Sequence, residues 1–247
     1  MNILINILIW IAYLVSLYFS IFLFLVILDK KPFQQKKSGI LRSSPFVSIL
    51  IPAYNEEETI IKTLESVYNL EYPKNRYEVI VINDGSTDST QQRIEQYLEG
   101  KPNFQLLSHA NRGKAASLNR ALKSARGEFF ACLDADSFVD SKTLAKMLIV
   151  YNEEKDPSLA IVTPAMKVYQ PKTLLQKIQW LEYIVIIFFA RLASSLDSLY
   201  VAPGPFSLYR TDIIRRLGGF NEETLTEDQE IAYRLQQQHY RIKQCTT

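Results

Sequence analysis

Between residues 47 and 133, short apolar runs typical of strands alternate with segments that have helical spacing. Each of these runs stops abruptly at polar residues. The runs are Val47–Pro52, Tyr77–Ile82, Phe104–Leu107 and Phe129–Leu133. Because strands that alternate with helices form mostly parallel sheets with helices on both faces, we expect an α/β fold.

Polar, potentially catalytic residues follow each of these runs directly. They are Ala53–Glu56, Asn83–Ser86, Ser108–Lys114 and Asp134–Asp136. In an open parallel sheet, ligands bind outside the carboxyl ends of the strands. The pattern therefore predicts a binding site built from these loops at one edge of the sheet.

Periodicity also predicts the elements around the runs. Helices are expected over Glu57–Asn69, over a stretch capped by Asp88 or Ser89 that carries Ile94, Tyr97 and Leu98, over Lys114–Ala125, and over Lys142–Tyr151 with Ser141 as its cap. Leu159–Thr163, which is closed by Pro164, is expected to be a fifth strand.

The amino-terminal stretch is the most apolar part of the chain. Ile3–Leu28 contains no charged residue, and a membrane-spanning helix needs about 20 apolar residues. A signal peptide would have a charged start and a shorter apolar core. The basic residues that follow the stretch are Lys30, Lys31, Lys36 and Lys37. By the positive-inside rule, we expect a cell-membrane protein with its amino terminus outside and its larger part in the cytosol.

These observations divide the chain into three parts. Residues 1–29 are expected to be a transmembrane anchor, residues 30–45 a polar cytosolic linker, and residues 46–247 the α/β domain. Within that domain, Thr173–Ser195 is expected to be one long helix that contains Trp180 and an apolar stretch too short to span a bilayer. Either this helix is buried in the core or it lies on the membrane surface.

Composition narrows the classes of function. The chain has 247 residues and a formal net charge of +2, and its basic residues are spread out rather than gathered in the stripe typical of nucleic-acid-binding proteins. Cys132 and Cys245 lack the spacing of a metal site or a redox pair. A dinucleotide-binding dehydrogenase is disfavoured, since no G-x-G-x-x-G follows a predicted strand.

Each polar motif has a chemical and a structural interpretation. Asp134 and Asp136 suit a hard divalent cation, which takes one or two carboxylates together with phosphate oxygens, but Asp is also common in turns. Asp84 is suited either to a nucleotide or to capping a helix. Arg112–Lys114 suits phosphate at a helix amino terminus or an ordinary surface turn. For Thr226–Asp228, spacing alone favours helix capping over general-base catalysis.

Taken in order, five motifs resemble those of the family-2 inverting glycosyltransferases, which have the GT-A fold. The motifs are Val47–Glu56, Asp84–Ser86, Gly113–Asn119, Asp134–Asp136 and Thr226–Asp228. The resemblance covers about residues 46 to 240. The amino-terminal apolar stretch and the helix that contains Trp180 look like the branch that makes cellulose, chitin, hyaluronan and poly-N-acetylglucosamine.

The resemblance implies a metal-dependent enzyme that uses a UDP-sugar and Mg²⁺ or Mn²⁺. Asp136 would bind the metal, and Asp228, beside Glu227, would deprotonate the acceptor. The residues it assigns to the nucleotide sugar are Pro52, Ala53, Tyr54, Asn55, Glu56, Asp84, Gly113, Lys114 and Asp134. Those it assigns to the acceptor side are Gly204, Pro205 and Phe206, followed by Tyr209 and Arg210.

One departure concerns the carboxyl-terminal side. Polymerising relatives carry a Gln-x-x-Arg-Trp motif and further membrane helices after the Thr-Glu-Asp motif, and this sequence reaches Thr247 without them. We therefore expect a missing carboxyl-terminal part, with a partner chain as one source of it. Three functions stay open: transfer to a growing polysaccharide or glycan, transfer to a polyprenyl phosphate or other lipid, and sugar-nucleotide binding without catalysis by a fragment or one piece of a split synthase.

Overall fold

A computed structural model describes residues 2–28, 41 and 43–245 of the chain. It begins with the helix α1, Asn2–Leu28, whose apolar side chains are exposed along its length. By length and composition, α1 is able to cross a membrane. This agrees with the anchor expected over residues 1–29, whereas most of the linker expected over residues 30–45 lies outside the described residues.

The remaining chain is built on a seven-stranded sheet with strand order β3-β2-β1-β4-β6-β5-β7. The strands are β1 Val47–Ala53, β2 Tyr77–Asn83, β3 Phe104–Ser108, β4 Phe129–Cys132, β5 Leu159–Thr163, β6 Leu208–Arg210 and β7 Arg241–Gln244. All five predicted strands are present, and β6 and β7 were not predicted. The α/β class is confirmed.

The sheet is mixed rather than wholly parallel. β1 pairs in parallel with both β2 and β4, and β2 pairs in parallel with β3. In contrast, β6 runs antiparallel to β4 and to β5. The chain that enters β6 therefore lies at the same edge of the sheet as the carboxyl ends of the parallel strands.

Helices cover both faces of the sheet, as expected. They are α2 Ile60–Tyr68, α3 Thr90–Leu98, α4 Lys114–Ser124, α5 Thr143–Glu154, α6 Leu174–Ser195, α7 Thr211–Arg216 and α8 Glu227–Gln237. Successive strand residues point to opposite faces, so Ile49 and Ile51 join the core beneath α2, α3 and α5. Leu50 joins the second core, beneath α4, α7 and α8.

Two of the predicted helix starts are wrong. The helix expected from Glu57 begins at Ile60, because the preceding residues form turns in which Glu56 accepts backbone bonds from Thr59 and Ile60. Ser141 does not cap α5, since its hydroxyl donates to Glu71 at 2.8 Å. The N-cap position of α5 is Lys142, and it has no side-chain cap hydrogen bond; Asp140 accepts from the amide of Lys142 at 3.1 Å in the turn before the helix.

The helix α6 covers the range expected for it, but it is not buried in the core, which was one of the two alternatives. Thr173 caps it in a capping box with Gln176. Only 11% of its most apolar 18-residue stretch is buried. The core interpretation is therefore wrong, and a position on the membrane surface remains a prediction.

Candidate active site

Asp84 organises the loop that leads from β3 into α4. Its two carboxylate oxygens accept hydrogen bonds from the amides of Arg112 and Gly113 at 2.8 and 2.9 Å. The ring nitrogen Nδ1 of His109 lies 3.3 Å from the same carboxylate. Asp84 is buried, and its carboxylate is surrounded by donors from the loop. These hydrogen bonds fix the loop at the end of β2.

The loops after β1 and β2 are tied together through Asn55. This residue has a positive φ of 54°. Its amide donates to the hydroxyl of Ser86 at 3.0 Å, and its side-chain oxygen accepts from the amide of Thr87 at 2.8 Å. Asn55 therefore acts in the structure as a loop tether.

Lys114, the first residue of α4, joins two acidic motifs that are far apart in the sequence. Its Nζ lies 2.7 Å from Oδ1 of Asp134 and 2.9 Å from Oε1 of Glu227. Burial acts to lower the pKa of Lys114, but these two carboxylates outweigh it and raise that pKa above its usual value. Lys114 is thus held in its charged form between the Asp134 loop and the start of α8.

Asp228 stands beside this cluster on the first turn of α8. Its carboxylate accepts from the amide of Gln229 at 2.8 Å, and its backbone oxygen accepts from the amide of Ala202 at 3.4 Å. Burial raises the pKa of Asp228 above that of an ordinary carboxyl group, with a smaller contribution from the charge of Glu227. A carboxylate with a raised pKa is a better proton acceptor, which is what a general base requires.

Gly204 brings the chain before β6 against the same cluster. A Cβ atom at this position would lie 3.0 Å from Nζ of Lys114 and 3.2 Å from Oδ2 of Asp134. The segment expected on the acceptor side therefore touches the residues expected to bind the donor. A side chain at position 204 would require the ends of Lys114 and Asp134 to shift by a few tenths of an ångström.

A cleft of about 380 Å³ opens at this edge of the sheet. Its lining contains every predicted nucleotide-sugar residue except Asn55, together with Asp136. The lining residues are Pro52, Ala53, Tyr54, Glu56, Asp84, Asn111, Gly113, Lys114, Asp134, Ala135 and Asp136. The sequence did not predict Asn111 as a lining residue, because it belongs to no recognisable motif. It also did not predict that the backbone amides of Arg112 and Gly113 donate to Asp84.

Three of the residues assigned to the acceptor side do not line this cleft. The ring of Phe206 is buried in the core beneath α2 and does not reach the cleft. Tyr209 is buried too, and it stacks on Phe130 with ring centroids 4.9 Å apart. Arg210 pairs with Phe129 at the opposite end of β4. The placement of Tyr209 and Arg210 follows from the antiparallel direction of β6, which carries them away from the cleft, whereas Phe206 precedes that strand. The role of these residues toward the acceptor stays a prediction.

The cleft suits a divalent cation that a diphosphate helps to bind. Among the described residues, no group of three or more His, Cys, Asp or Glu side chains is placed to hold a metal alone. Asp136 is exposed, and its carboxylate accepts a hydrogen bond of 3.3 Å from the hydroxyl of Ser137. Mg²⁺ usually takes one or two carboxylates and completes its shell with phosphate oxygens and water, so Asp136 fits such an ion.

Two solved structures have the same fold. The mannosyltransferase PcManGT from Pyrobaculum calidifontis, solved with GDP-Man and Mn²⁺, superposes with a TM-score of 0.71 at 24% identity, over 94% of this chain and 64% of that one. S. aureus TarS 1-349 in complex with UDP-GlcNAc gives a TM-score of 0.63 at 26% identity, over 82% of this chain and 56% of that one.

Sequence relatives point the same way. Poly-beta-1,6-N-acetyl-D-glucosamine synthase of Staphylococcus epidermidis is 35% identical over 199 residues, which cover 80% of this chain and 47% of that protein. The synthase of Staphylococcus aureus strain COL is 34% identical over 198 residues, with the same shares covered. This chain therefore spans about half the length of the curated relatives it matches. The family described as Glycosyl transferase family 2 matches residues 48–218, and the chain belongs to that family.

Proposed function

We propose that the protein is a membrane-anchored, inverting, metal-dependent glycosyltransferase that transfers a sugar from a UDP-sugar to a hydroxyl group of a growing polysaccharide or glycan. The observation that carries the proposal is the Lys114 cluster. Lys114 contacts both Asp134 in the donor cleft and Glu227 next to Asp228. The candidate base is therefore adjacent to the place where the leaving diphosphate would bind.

The donor we propose is UDP-N-acetylglucosamine. The relatives are named as poly-N-acetylglucosamine synthases, and the TarS structure contains UDP-GlcNAc. The cleft supplies Asp84 and its loop for the nucleoside, and Lys114 as a cation for the diphosphate. A lysine at a helix amino terminus is well suited to bind phosphate oxygens.

The reaction balances with the residues in these roles. The acceptor oxygen forms a bond to the anomeric carbon while the bond from that carbon to the diphosphate oxygen breaks. The acceptor proton passes to Asp228, whose raised pKa favours its uptake. UDP leaves from the opposite side, so the anomeric configuration is inverted. A divalent cation bound at Asp136 would neutralise charge on the leaving diphosphate.

The test is UDP release by the detergent-solubilised protein with a panel of UDP-sugars and Mn²⁺ or Mg²⁺. We expect release with one sugar, loss of release with EDTA, and loss of at least about 100-fold in Asp228→Asn. Asp212→Asn is the matched control, because Asp212 is an exposed carboxylate on α7 that pairs with Arg216 away from the site. Full turnover in Asp228→Asn would exclude Asp228 as the base.

A further inference from the structure

A second, larger cavity lies beside the active site and is lined mainly by apolar side chains. This groove has a volume of about 740 Å³. One wall is the end of α1, with Phe22, Leu23 and Val26, and another is the second half of α6. The chain between α6 and β6 completes it through Leu196, Leu199, Tyr200, Val201 and Pro203.

Two of the polar side chains in the lining carry the argument for a ligand that donates hydrogen bonds. One is Asp228, which belongs to the groove as well as to the catalytic cluster. The other is Gln244 on β7, which is 8% exposed and whose Oε1 has no hydrogen-bond partner within the described part of the chain. Buried polar groups are normally paired, so an unpaired acceptor in an apolar groove points to a ligand that donates hydrogen bonds.

The groove also lies where a lipid would reach it. Its α1 wall comes from the last two turns of a helix long and apolar enough to cross a membrane. Its α6 wall continues into exposed apolar residues outside the lining, among them Leu181 and Ile184. The opening is thus flanked by two apolar helices, and its lining includes the candidate base.

We propose that this groove binds the hydrocarbon chain of an amphiphilic acceptor whose sugar or other hydroxyl-bearing head group reaches Asp228. The proposal rests on the proposed function and specifies its acceptor. The head-group hydroxyl loses its proton to Asp228 and forms the new bond to the anomeric carbon, and UDP is the leaving group. An anionic phosphate head is disfavoured beside Asp228, because the ionised carboxylate would repel it.

The experiment uses the full chain in lipid nanodiscs, with alkyl glucosides from methyl to dodecyl as acceptors. The variant is Ile186→Gln, which places an amide in the groove wall. The control is Leu181→Gln on the same helix, because Leu181 is 58% exposed and Ile186 56% exposed, and only Ile186 lines the groove. Partitioning of each glucoside into the bilayer is the same for all proteins, so differences between variants report on the groove.

We expect the rate with dodecyl glucoside relative to methyl glucoside to fall about tenfold in Ile186→Gln and to stay at the wild-type value in Leu181→Gln. A dodecyl glucoside with a photoreactive diazirine in its chain should label α6 in the absence of donor. Equal chain-length dependence in all three proteins, without labelling of α6, would overturn the proposal. Labelling of α6 without any transfer would support the lipid groove and contradict the proposed function instead.

Discussion

At the scale of single residues, Asp84 shows how much of the donor cleft depends on backbone geometry. Its carboxylate is occupied by the amides of Arg112 and Gly113. The glycine that follows it, Gly85, has a φ of 72°, and a Cβ atom there would lie 2.6 Å from the amide nitrogen of Asn111. The two loops therefore touch through backbone atoms, which have no room to move aside.

This contact leads to a prediction about Gly85→Ala, for which a second glycine provides the control. Gly100 has nearly the same φ, 73°, but nothing lies within 4 Å of its would-be Cβ. Both Gly85→Ala and Gly100→Ala should lose about 1 kcal/mol of folding stability, because an alanine is strained in the left-handed backbone conformation. We expect Gly85→Ala to lose about 2 kcal/mol more stability and to bind UDP more weakly. Thermal unfolding and UDP titration of both variants test this, and equal losses would show that the close approach is not important.

Asp228 gives a prediction about pH. Its folded-state pKa is raised, chiefly by burial, so the stability that comes from its protonated form is present at low pH and lost as pH rises through the folded pKa. Asp228→Asn should therefore melt at a higher temperature than the wild type near pH 8, and this gain should disappear near pH 4. The acidic limb of the wild-type pH–rate profile should lie above the pKa of a free aspartate, about 3.9. A lower melting temperature for Asp228→Asn near pH 8 would contradict a costly buried charge.

The residue types of the site were predictable from the sequence, and their partners were not. Motif order placed Lys114, Asp134 and Asp136 in one cleft, because each follows a strand of the same sheet. The pairing of Lys114 with Glu227 depends on how α8 packs back across the sheet. No local pattern records that packing.

At the scale of elements, the short strand β6 has the largest effect on the site. It contains three residues, Leu208–Arg210, too few to show alternation in a sequence. By running antiparallel, it delivers Gly204 to the catalytic edge and buries Tyr209 below it. The direction of β6 therefore accounts for the placement of Tyr209 and Arg210 away from the cleft, and the acceptor-side role of this segment stays a prediction.

The helix α6 carries a prediction about the membrane. Trp180 lies on it and is 41% exposed, and Trp10 in α1 is the other tryptophan of the chain. In Trp10→Phe protein in bilayers, we expect Trp180 fluorescence to be quenched most by lipids brominated near the head group. Trp180→Phe protein, which retains Trp10 in the span, should be quenched most by bromine deeper in the acyl chains. No quenching of Trp180 at any depth would place α6 away from the bilayer.

At the scale of the whole molecule, the orientation we propose has the amino terminus outside and the domain in the cytosol. Both native cysteines are buried, so added cysteines are able to report on access. A cysteine added at the amino terminus should react with a membrane-impermeant maleimide in intact cells. Glu99→Cys, at an exposed position of the domain, should react only after lysis. The reverse pattern would mean that the domain faces outward.

The order of elements along the chain has a consequence for synthesis on the ribosome. The ribosome makes a chain from its amino terminus, and a domain generally folds as a unit. α1 comes first, the strands that carry the donor loops come next, and α8 with Asp228 follows much later. The proposed base Asp228 is therefore synthesised after both the helix able to cross a membrane and the loops of the cleft, so the proposed transfer requires that most of the described chain has been made.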